Sequence, residues 1–375
     1  MKILFTGGGS GGHIFPIIAI SRELKKRCAQ KIELSYMGPE DEFSSKLFFK
    51  ESLKTYFIFS GKARRYFNIK SFFQNIIDLF IKIPLGIIQA FLILFFTAPD
   101  LIFSKGGYGS FPTVIAGWCL GIPIIMHESD VAPGLANKIL SRFSQIIFVS
   151  FPTKQTEYFP TRKMIYTGNP VRSDLLKINQ EIAKKELGIA SSKPILLILG
   201  GSQGSIRINS LIYQILPQLI KKFEIIHQTG YADFERAREN LIAFIPKELQ
   251  AHCHLYPFLN EIQLKSGLCL AQCVISRAGA GVIFEIAAFK KPSILIPLPE
   301  SAQNHQVKNA YAYAESGAAV VIEESNLTPN FFLETVLNLY TFGNFEIMSR
   351  AAEKINPQNT VNNIVDYLIS FSQKQ

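Results

Sequence analysis

Two glycine-rich loops occupy matching places in the two halves of the chain, and each follows a short apolar run. Residues 7–12 follow the apolar run 2–5, and residues 200–204 follow the apolar run 195–199. A strand that turns through glycines into a helix presents backbone N–H groups at the positive end of that helix. Such an end suits a phosphate or pyrophosphate. The repeat therefore predicts two nucleotide-type domains with an anionic substrate between them.

Length and composition narrow the class of protein. The 375 residues give room for two domains of ordinary size, and a hydrophobic content of 48% excludes global disorder. The start of the chain runs into glycines too early for a secretory signal, so it predicts the first strand of a cytosolic domain. The five cysteines are scattered and odd in number, which is typical of reduced thiols rather than disulfides.

The net charge of +10 is concentrated in the first half of the chain. Residues 1–172 hold 21 Lys and Arg against 11 Asp and Glu, whereas residues 173–375 hold 18 of each class. This asymmetry indicates a polyanionic partner for the first half alone. An anionic membrane is favoured over nucleic acid, because nucleic-acid binding also needs a stacking groove or a recognition helix.

Strand-like runs alternate with helix-period runs along the chain, which is typical of α/β proteins with doubly wound parallel sheets. Glycine and Asn-Pro break regular structure near residues 166–172, and residues 328–371 have a helical pattern. The predicted strands are residues 2–6, 32–37, 54–59, 100–104, 122–126, 145–149, 194–199, 223–228, 253–257, 273–276, 293–297 and 319–322.

One apolar segment departs from the composition of soluble domains. Its aromatic and aliphatic side chains are preceded or interrupted by basic residues, namely Lys62, Arg64, Arg65, Lys70 and Lys82. For residues 62–83 this combination predicts contact with an anionic membrane surface. The uninterrupted run 83–98 is shorter than the ~20 apolar residues of a spanning helix. For residues 85–97 a buried core helix is therefore favoured, and a membrane-facing helix is the alternative.

Several familiar nucleotide and metal motifs are incomplete. Residues 7–12 formally contain the dinucleotide fingerprint, but the second predicted strand ends without the acidic residue that holds a ribose. Neither glycine loop ends in Gly-Lys-Ser/Thr, and no Asp-x-Asp pair occurs. Cys269 and Cys273 have His252 and His254 nearby, but without the spacing of paired metal ligands. We expect neither a metal nor a cofactor.

Three further features carry candidate chemistry. His13 stands at the start of a predicted helix, where the helix N-terminus favours a neutral imidazole that can act as a base; simple packing is an equal alternative. Residues 105–112 form a third loop between a strand and a helix, and a plain tight turn would look the same. Residues 276–281 precede Glu285, whose carboxylate could accept the two hydroxyls of a ribose or could be solvated.

A set of motifs recurs in a fixed order along nearly the whole chain. It comprises residues 8–16, 60–65, 106–108, 127–128, 168–172, 200–204, 276–280, 285 and 304–310. Each motif alone is weak. The ordered set resembles the MurG family, the bacterial N-acetylglucosaminyltransferases that make the lipid-linked disaccharide precursor of peptidoglycan.

The resemblance implies two Rossmann-like domains facing a cleft, the GT-B architecture. An N-terminal acceptor- and membrane-binding domain would span 1–167, and a C-terminal donor-binding domain would span 168–375, with final helices able to pack back on the first. The donor would be UDP-N-acetylglucosamine, and the acceptor undecaprenyl-pyrophosphoryl-N-acetylmuramoyl pentapeptide (lipid I). The implied location is peripheral, at the cytoplasmic face of the bacterial plasma membrane, with residues 62–83 on anionic inner-leaflet lipid. Cell-wall synthesis complexes are candidate partners, and nucleic acid is not.

The resemblance also assigns roles by position. Acceptor contacts are expected at Gly106, Gly107 and Tyr108. Donor contacts are expected at Ser10, Gly11, Gly12, Asp130, Arg172, Ser202, Leu259, Ala280, Gly281, Val282, Ile283, Phe284, Glu285 and Gln306.

Within the donor set, the resemblance implies that Arg172 and Ser202 hold the diphosphate. Leu259 would lie against uracil through backbone contacts, and Glu285 would hold the ribose. Asp130 stands where the family usually has Asn. An acid beside a sugar pyrophosphate needs a neutralising Lys or Arg, or contact with sugar hydroxyls alone.

The implied reaction is a metal-independent displacement at the anomeric carbon by the acceptor 4-hydroxyl, with inversion. It needs a base, for which His13 and then Glu128 are the candidates. A non-catalytic membrane-docked nucleotide-sugar-binding protein is one alternative. A transferase of the same fold acting on diacylglycerol or another lipid is the second, and a Rossmann oxidoreductase is the weakest. Product analysis with different acceptors separates the two transferases.

Overall fold

The computed structural model describes two compact units. The first comprises Met1–Arg172 with Pro357–Gln375, and the second comprises Ser173–Asn356. The residues that the structure describes are 1–8, 11–28, 32–62, 69–152, 157–172, 176–201, 203–341, 343–355 and 359–372.

The first unit is built on a parallel sheet whose order is β3-β2-β1-β4-β5-β6-β7 over the described residues. The strand order reverses between β1 and β4, and ligands of such sheets bind outside the carboxyl ends of the strands at that point. The strands are β1 (Lys2–Thr6), β2 (Glu33–Gly38), β3 (Lys54–Phe57), β4 (Leu101–Ser104), β5 (Ile124–Glu128), β6 (Ile146–Val149) and β7 (Met164–Tyr166).

Helices cover both faces of this sheet. They are α1 (Gly11–Cys28), α2 (Glu42–Lys50), α3 (Ile69–Ile77), α4 (Ile83–Thr97), α5 (Phe111–Cys119), α6 (Leu135–Leu140) and, near the end of the chain, α16 (Thr360–Ser372). The last helix packs against α1, since Ile364 and Leu368 are buried in the same apolar cluster as Ile17. Arg27 and Asp366 add an ion pair of 2.5 Å between the two helices.

The second unit repeats the plan with the parallel order β10-β9-β8-β11-β12-β13, which reverses between β8 and β11. Its two central strands are buried throughout and, except for Ser276, apolar, because both faces are covered, as is usual in parallel sheets. The strands are β8 (Ile195–Leu199), β9 (Glu224–Gln228), β10 (Cys253–Tyr256), β11 (Cys273–Ser276), β12 (Ser293–Leu295) and β13 (Ala319–Val321).

The helices of the second unit follow its strands in alternation and end in a helical pair. They are α7 (Gln180–Leu187), α8 (Ile206–Lys222), α9 (Phe234–Phe244), α10 (Lys247–Gln250), α11 (Glu261–Leu270), α12 (Ala280–Ala288), α13 (His305–Ala314), α14 (Pro329–Thr341) and α15 (Asn344–Lys354). The Ser205 hydroxyl caps α8, and an Asn260–Gln263 capping box starts α11.

The predicted α/β class and every predicted strand are confirmed, with ends that differ by a few residues. The sequence missed β7, a short edge strand in which all residues are at least partly exposed, so its apolar pattern is weak. The structure groups residues 168–172 and α16 with the first unit.

The apolar segment forms a long helix that leaves most of its surface exposed. A π-helical turn (Asp78–Lys82) joins α3 to α4, and Ser71–Thr97 is long and apolar enough, by length and composition, to cross a membrane. In α4 the buried positions are Gly86, Ala90 and Leu94, a single stripe at helical spacing. Phe95 and Phe96 are 62% and 80% exposed. The prediction of core helix at 85–97 is therefore wrong for most of its surface.

Candidate active site

In the first unit, the loops that follow β1 and β4 meet at the point where the strand order reverses. Lys105 N–H donates to the carbonyl oxygen of Thr6 at 2.8 Å, so the two loops leave the sheet side by side. Gly107 has a φ of +81°, and a Cβ there would lie 2.8 Å from the carbonyl oxygen of Gly8. Both facts require glycine at position 107. The first and third glycine loops of the sequence thus form one site.

His13 lies in the first turn of α1 and faces the loop after β4. Its Nδ1 is 3.1 Å from the carbonyl oxygen of Lys105. A carbonyl can only accept, so Nδ1 carries the proton and Nε2 keeps a lone pair. A Cβ on Gly107 would lie 3.1 Å from Nε2, which places this nitrogen against the acceptor loop. Burial, and then the charge of Lys105, lower the pKa of His13 to about 4. The imidazole is therefore neutral at physiological pH.

Glu128, the second candidate base, is almost fully buried at the end of β5. Its Oε1 accepts from the backbone N–H of Asp130 at 2.9 Å, and its Oε2 accepts from Asn137 Nδ2 at 2.6 Å. Asn137 Oδ1 in turn accepts from the backbone N–H of Gly107 at 3.0 Å. Burial, and then the charge of Asp130, raise the pKa of Glu128. With both oxygens engaged, this carboxyl group shapes the Gly107 loop.

Lys105 is the buried centre of the same region and is not among the predicted site residues. Its side chain is 1% exposed, and Nζ donates to His127 Nδ1 at 2.9 Å and to the Ser129 hydroxyl. His127 Nε2–H donates to the carbonyl oxygen of Gly168 at 3.0 Å, which leaves Nδ1 as the acceptor for the ammonium. One feature of the sequence could have identified Lys105: it stands between a strongly apolar strand and a glycine loop. A lysine buried at such a place usually has polar partners.

Two cationic contacts flank this centre. The Arg172 guanidinium lies 4.2 Å from the centre of the Phe15 ring, and Arg172 is 6% exposed. The Lys62 ammonium lies 5.9 Å from the ring centre of Tyr108, one of the predicted acceptor residues. Both are cation–π contacts that orient a positive charge next to the glycine loops.

In the second unit, the glycine loop after β8 is held by two buried side chains that the sequence analysis did not assign. Gln228 donates from Nε2 to the carbonyl oxygen of Gly201 at 2.7 Å and accepts from Leu259 N–H at 3.0 Å. Arg277 donates to the hydroxyl of Ser205 at 2.7 Å. Arg277 directly follows β11, so its position at the carboxyl edge of the sheet was an available signal, whereas Gln228 is the last residue of β9 and carried no such signal.

The start of α12 presents backbone N–H groups at the same edge. Gly279 caps the helix, and Ala280 and Gly281 form its first turn. Gln306 Oε1 accepts from Ala278 N–H at 3.3 Å and from Leu298 N–H at 3.1 Å. Its amide N–H donors therefore remain for a ligand, since no described residue accepts from them.

The predicted donor-binding residues differ in which of their groups are accessible to a ligand. Ile283 and Phe284 are buried in the core, so their side chains are packing groups, while Glu285 is half-buried. Leu259 gives its N–H to Gln228 and keeps only its carbonyl for a nucleobase. Gly11 and Gly12 open α1. Ser10 and Ser202 lie outside the described residues.

His252 and His254 have a structural explanation. Their ring nitrogens lie 2.8 Å and 2.6 Å from the two carboxylate oxygens of Glu224, which is buried in β9. Among the residues that the structure describes, no group of three or more His, Cys, Asp and Glu side chains is arranged to hold a metal ion. Cys269 and Cys273 take part in no such group.

Comparison with known proteins gives matches along both units. The family model for the glycosyltransferase family 28 N-terminal domain matches residues 3–149, and the model for its C-terminal domain matches residues 195–365.

Curated relatives match over nearly their full length. A UDP-N-acetylglucosamine–N-acetylmuramyl-(pentapeptide) pyrophosphoryl-undecaprenol N-acetylglucosamine transferase of Bacillus cereus (strain ATCC 10987 / NRS 248) is 37% identical, over 98% of this chain and 99% of the relative. A transferase of the same name from Clostridium perfringens (strain SM101 / Type A) is 38% identical, over 98% of this chain and 97% of the relative.

Solved structures share the fold. The crystal structure of Acinetobacter baumannii MurG superposes with a TM-score of 0.74 at 23% identity, covering 100% of this chain and 99% of that one. A UDP-GlcNAc 2-epimerase from Neisseria meningitidis, bound to UDP-GlcNAc, superposes with a TM-score of 0.67 at 16% identity, covering 99% of this chain and 100% of that one. The fold is therefore of the GT-B type.

Proposed function

This chain belongs to glycosyltransferase family 28, in its MurG branch, and from that premise we propose that it transfers N-acetylglucosamine from UDP-N-acetylglucosamine to lipid I. The product would be lipid II, the disaccharide precursor of peptidoglycan. The observation that carries the proposal is the 37% identity to named transferases over 98% of the chain. The two glycine-loop sites support it, because a diphosphate donor and a pyrophosphate acceptor each need such a loop.

We assign His13 as the base. The acceptor 4-hydroxyl attacks the anomeric carbon, its proton passes to His13 Nε2, and the bond from that carbon to the diphosphate oxygen breaks with its electron pair on UDP. One displacement of this kind inverts the anomeric configuration. The position of Nε2 beside Gly107 supports the assignment, since Gly107 belongs to the predicted acceptor loop.

Departing UDP needs stabilisation of its negative charge. The N–H groups at the start of α12 supply it without a metal, since a helix N-terminus stabilises anions. Arg172 and Ser202 are the further groups that we assign to the diphosphate. Ala280 and Gly281 would contact the nucleotide through their backbone, Glu285 its ribose, and Gln306 the sugar.

We further propose that the enzyme is peripheral, at the cytoplasmic face of the plasma membrane. The exposed apolar face of α3, the π-helical turn and α4 supports this, since Phe73, Phe80 and Phe96 are 59%, 69% and 80% exposed. Lys62 and Lys82 lie at this segment, where basic residues favour anionic lipid. Arg64, Arg65 and the side chain of Lys70 lie outside the described residues.

The decisive test is transfer of labelled N-acetylglucosamine from its UDP donor to a short-chain lipid I analogue, with EDTA present. We expect a disaccharide-lipid product from the native chain. A parallel reaction with diacylglycerol tests the other lipid acceptor. Product with diacylglycerol alone would refute the proposed acceptor. Binding of UDP-N-acetylglucosamine without any transfer would refute the proposed catalysis.

A further inference from the structure

Burial of the Lys105 ammonium group costs solvation free energy, which other interactions in the fold must offset. A charged amine that leaves water loses its solvation unless hydrogen bonds and opposite charge replace it. Lys105 has both. Its Nζ donates to His127 and Ser129, and the charges of Glu128 and then Asp130 oppose the burial that lowers its pKa.

The bonds made by Lys105 extend to three separate parts of the site. Its carbonyl oxygen accepts from His13 and so fixes which ring nitrogen is free. The Ser129 hydroxyl donates to Asn169 Oδ1 at 3.1 Å, and His127 donates to the carbonyl oxygen of Gly168. An apolar side chain of equal length could fill the volume, but it would leave His127 Nδ1 and Ser129 without this donor.

The segment 168–169 matters because it leads directly to Arg172. Lys105 therefore bonds, directly or through one side chain, to the segments that carry the proposed base and the proposed diphosphate arginine. Because the Lys105 ammonium bonds the Ser129 hydroxyl, it also places a positive charge one residue away from the acid at position 130.

We propose that Lys105 is a positioning residue of the transfer reaction, which holds the turn 127–130 and the segment 168–169 in place and balances the charge of Asp130. Its side chain acts through His127 and Ser129 on the segment that leads to Arg172, and through its charge on Asp130; it does not touch the reacting atoms. The proposal rests on the proposed function. If Lys105 balances the charge of Asp130, removal of that acid should restore part of the activity that is lost with the lysine. The proposal therefore predicts an energetic coupling between positions 105 and 130.

A double-mutant cycle tests this coupling. Lys105→Met removes the charge at nearly constant length, and Asp130→Asn removes the acid at constant shape. We expect Lys105→Met to lower kcat/KM for transfer about thirtyfold, and Asp130→Asn in that background to restore it to within about fivefold of the native value. If the effects of the two substitutions on kcat/KM simply multiply, the proposal is overturned, because a lysine that only fills space does not interact with the charge at position 130.

A matched control uses Lys163, which donates from Nζ to three backbone carbonyls in the same unit, among them Ser144 at 2.8 Å. Lys163→Met should show no coupling to Asp130→Asn; equal coupling would mean a general effect of charge and would refute the specific pairing. If Lys105→Met fails to fold, Lys105→Gln takes its place in the cycle.

The same cycle read from thermal unfolding midpoints separates this proposal from the proposed function. If the native chain shows no transfer, only the proposed function is refuted. Non-additive changes in the unfolding midpoint would still support the coupling of Lys105 and Asp130, and additive changes would overturn it.

Discussion

The carboxylate of Asp78 accepts a hydrogen bond from the backbone N–H of Lys62 at 3.2 Å, which ties the loop after β3 to the long apolar helix. Asp78 also forms an ion pair of 2.8 Å with Lys82, one turn further along that helix. Asp78 is 4% exposed. The ion pair and the loop contact therefore share one buried acid.

A second contact holds the same loop against α4. Phe59 N–H donates to Gln89 Oε1 at 2.8 Å. A Cβ on Gly86 would lie 1.9 Å from the carbonyl oxygen of Phe59, so only glycine permits this approach. Because the Lys62 ammonium lies over Tyr108, the helix that we assign to the membrane is linked to the predicted acceptor loop.

Asp78→Asn should weaken this link. The amide still accepts from Lys62 N–H, but the ion pair is lost, and we expect a cost of about 1–2 kcal/mol in stability, between the values for exposed and buried pairs. KM for the lipid acceptor should rise about threefold while UDP affinity stays unchanged. Kinetics with a lipid I analogue and calorimetry with UDP measure the two effects.

Asp366→Asn is the matched control, since Asp366 is 65% exposed in its ion pair with Arg27. It should change neither KM nor UDP affinity. Equal effects of the two substitutions on the lipid KM would contradict the link between the helix and the acceptor loop.

Membrane affinity should depend on aromatic side chains of the apolar helix. Phe80 is 69% exposed, and transfer of such a ring into lipid contributes about 1.5–3 kcal/mol when it is complete. We expect Phe80→Ser to lower binding to vesicles that contain anionic phosphatidylglycerol about tenfold, as measured by co-sedimentation. Vesicles of neutral phosphatidylcholine should bind the native chain more weakly, because they offer no anionic lipid to attract Lys62 and Lys82.

Phe244 provides a control on the second unit, where it is 64% exposed at the end of α9. Phe244→Ser should leave vesicle binding unchanged. A loss equal to that of Phe80→Ser would show that general apolar exposure, rather than the helix 71–97, drives the binding.

The fold could be predicted largely from the sequence because parallel strands buried on both faces are continuous apolar runs. The glycine loops after β1 and β8 were visible for the same reason, since each follows such a run. The apolar helix misled the prediction at 85–97. A core helix and a lipid-facing helix share one composition, and only the packing of Gly86, Ala90 and Leu94 shows that a single stripe is covered.

The site was predictable where glycine or histidine marked it and hidden where contacts are distant in the chain. His13 meets Lys105 and Gly107 only because β1 and β4 are neighbours in the sheet. Gln228 reaches Leu259 from another strand, and nothing in the local sequence distinguishes it from a surface glutamine. Long-range partners of this kind need the sheet order, which hydrophobic periodicity alone does not provide.

Gln228 should control donor affinity. Gln228→Leu keeps much of the volume but frees the carbonyl of Gly201 and the N–H of Leu259, two groups at the predicted nucleotide site. Unmade buried hydrogen bonds cost about 1–3 kcal/mol each. We expect UDP affinity to fall about tenfold by calorimetry, with a smaller change in kcat.

The exposed Gln214 of α8 is the control, because among the described residues its amide bonds only to the carbonyl of Ser210 one turn earlier. Gln214→Leu should leave UDP affinity within about twofold of the native value. Unchanged affinity in Gln228→Leu would mean that the glycine loop keeps its shape without this bridge.

The two candidate bases differ in pKa, which makes their roles separable by pH. A base must be deprotonated to act, so its catalytic form exists above its pKa. The pKa of His13 is lowered to about 4, first by burial and then by Lys105. The pKa of Glu128 is raised to about 7, first by burial and then by Asp130. His13 as base gives a rate that is level around neutral pH, whereas Glu128 as base gives a rate that falls below pH 7.

We expect kcat/KM for transfer to stay level between about pH 7 and pH 6 and to fall on the acid side only as the pH approaches 4. His13→Ala should lower kcat at least about a hundredfold with little change in UDP affinity, because a positioned general base contributes about 10²–10⁴ in rate. Glu128→Gln should retain more activity than His13→Ala, since the amide oxygen can still accept from Asn137, the residue that connects position 128 to the Gly107 loop. An acidic limb near pH 7, together with a loss of at least about a hundredfold in kcat in Glu128→Gln, would instead assign the base to Glu128. Unchanged kcat in His13→Ala would remove the imidazole from the chemistry.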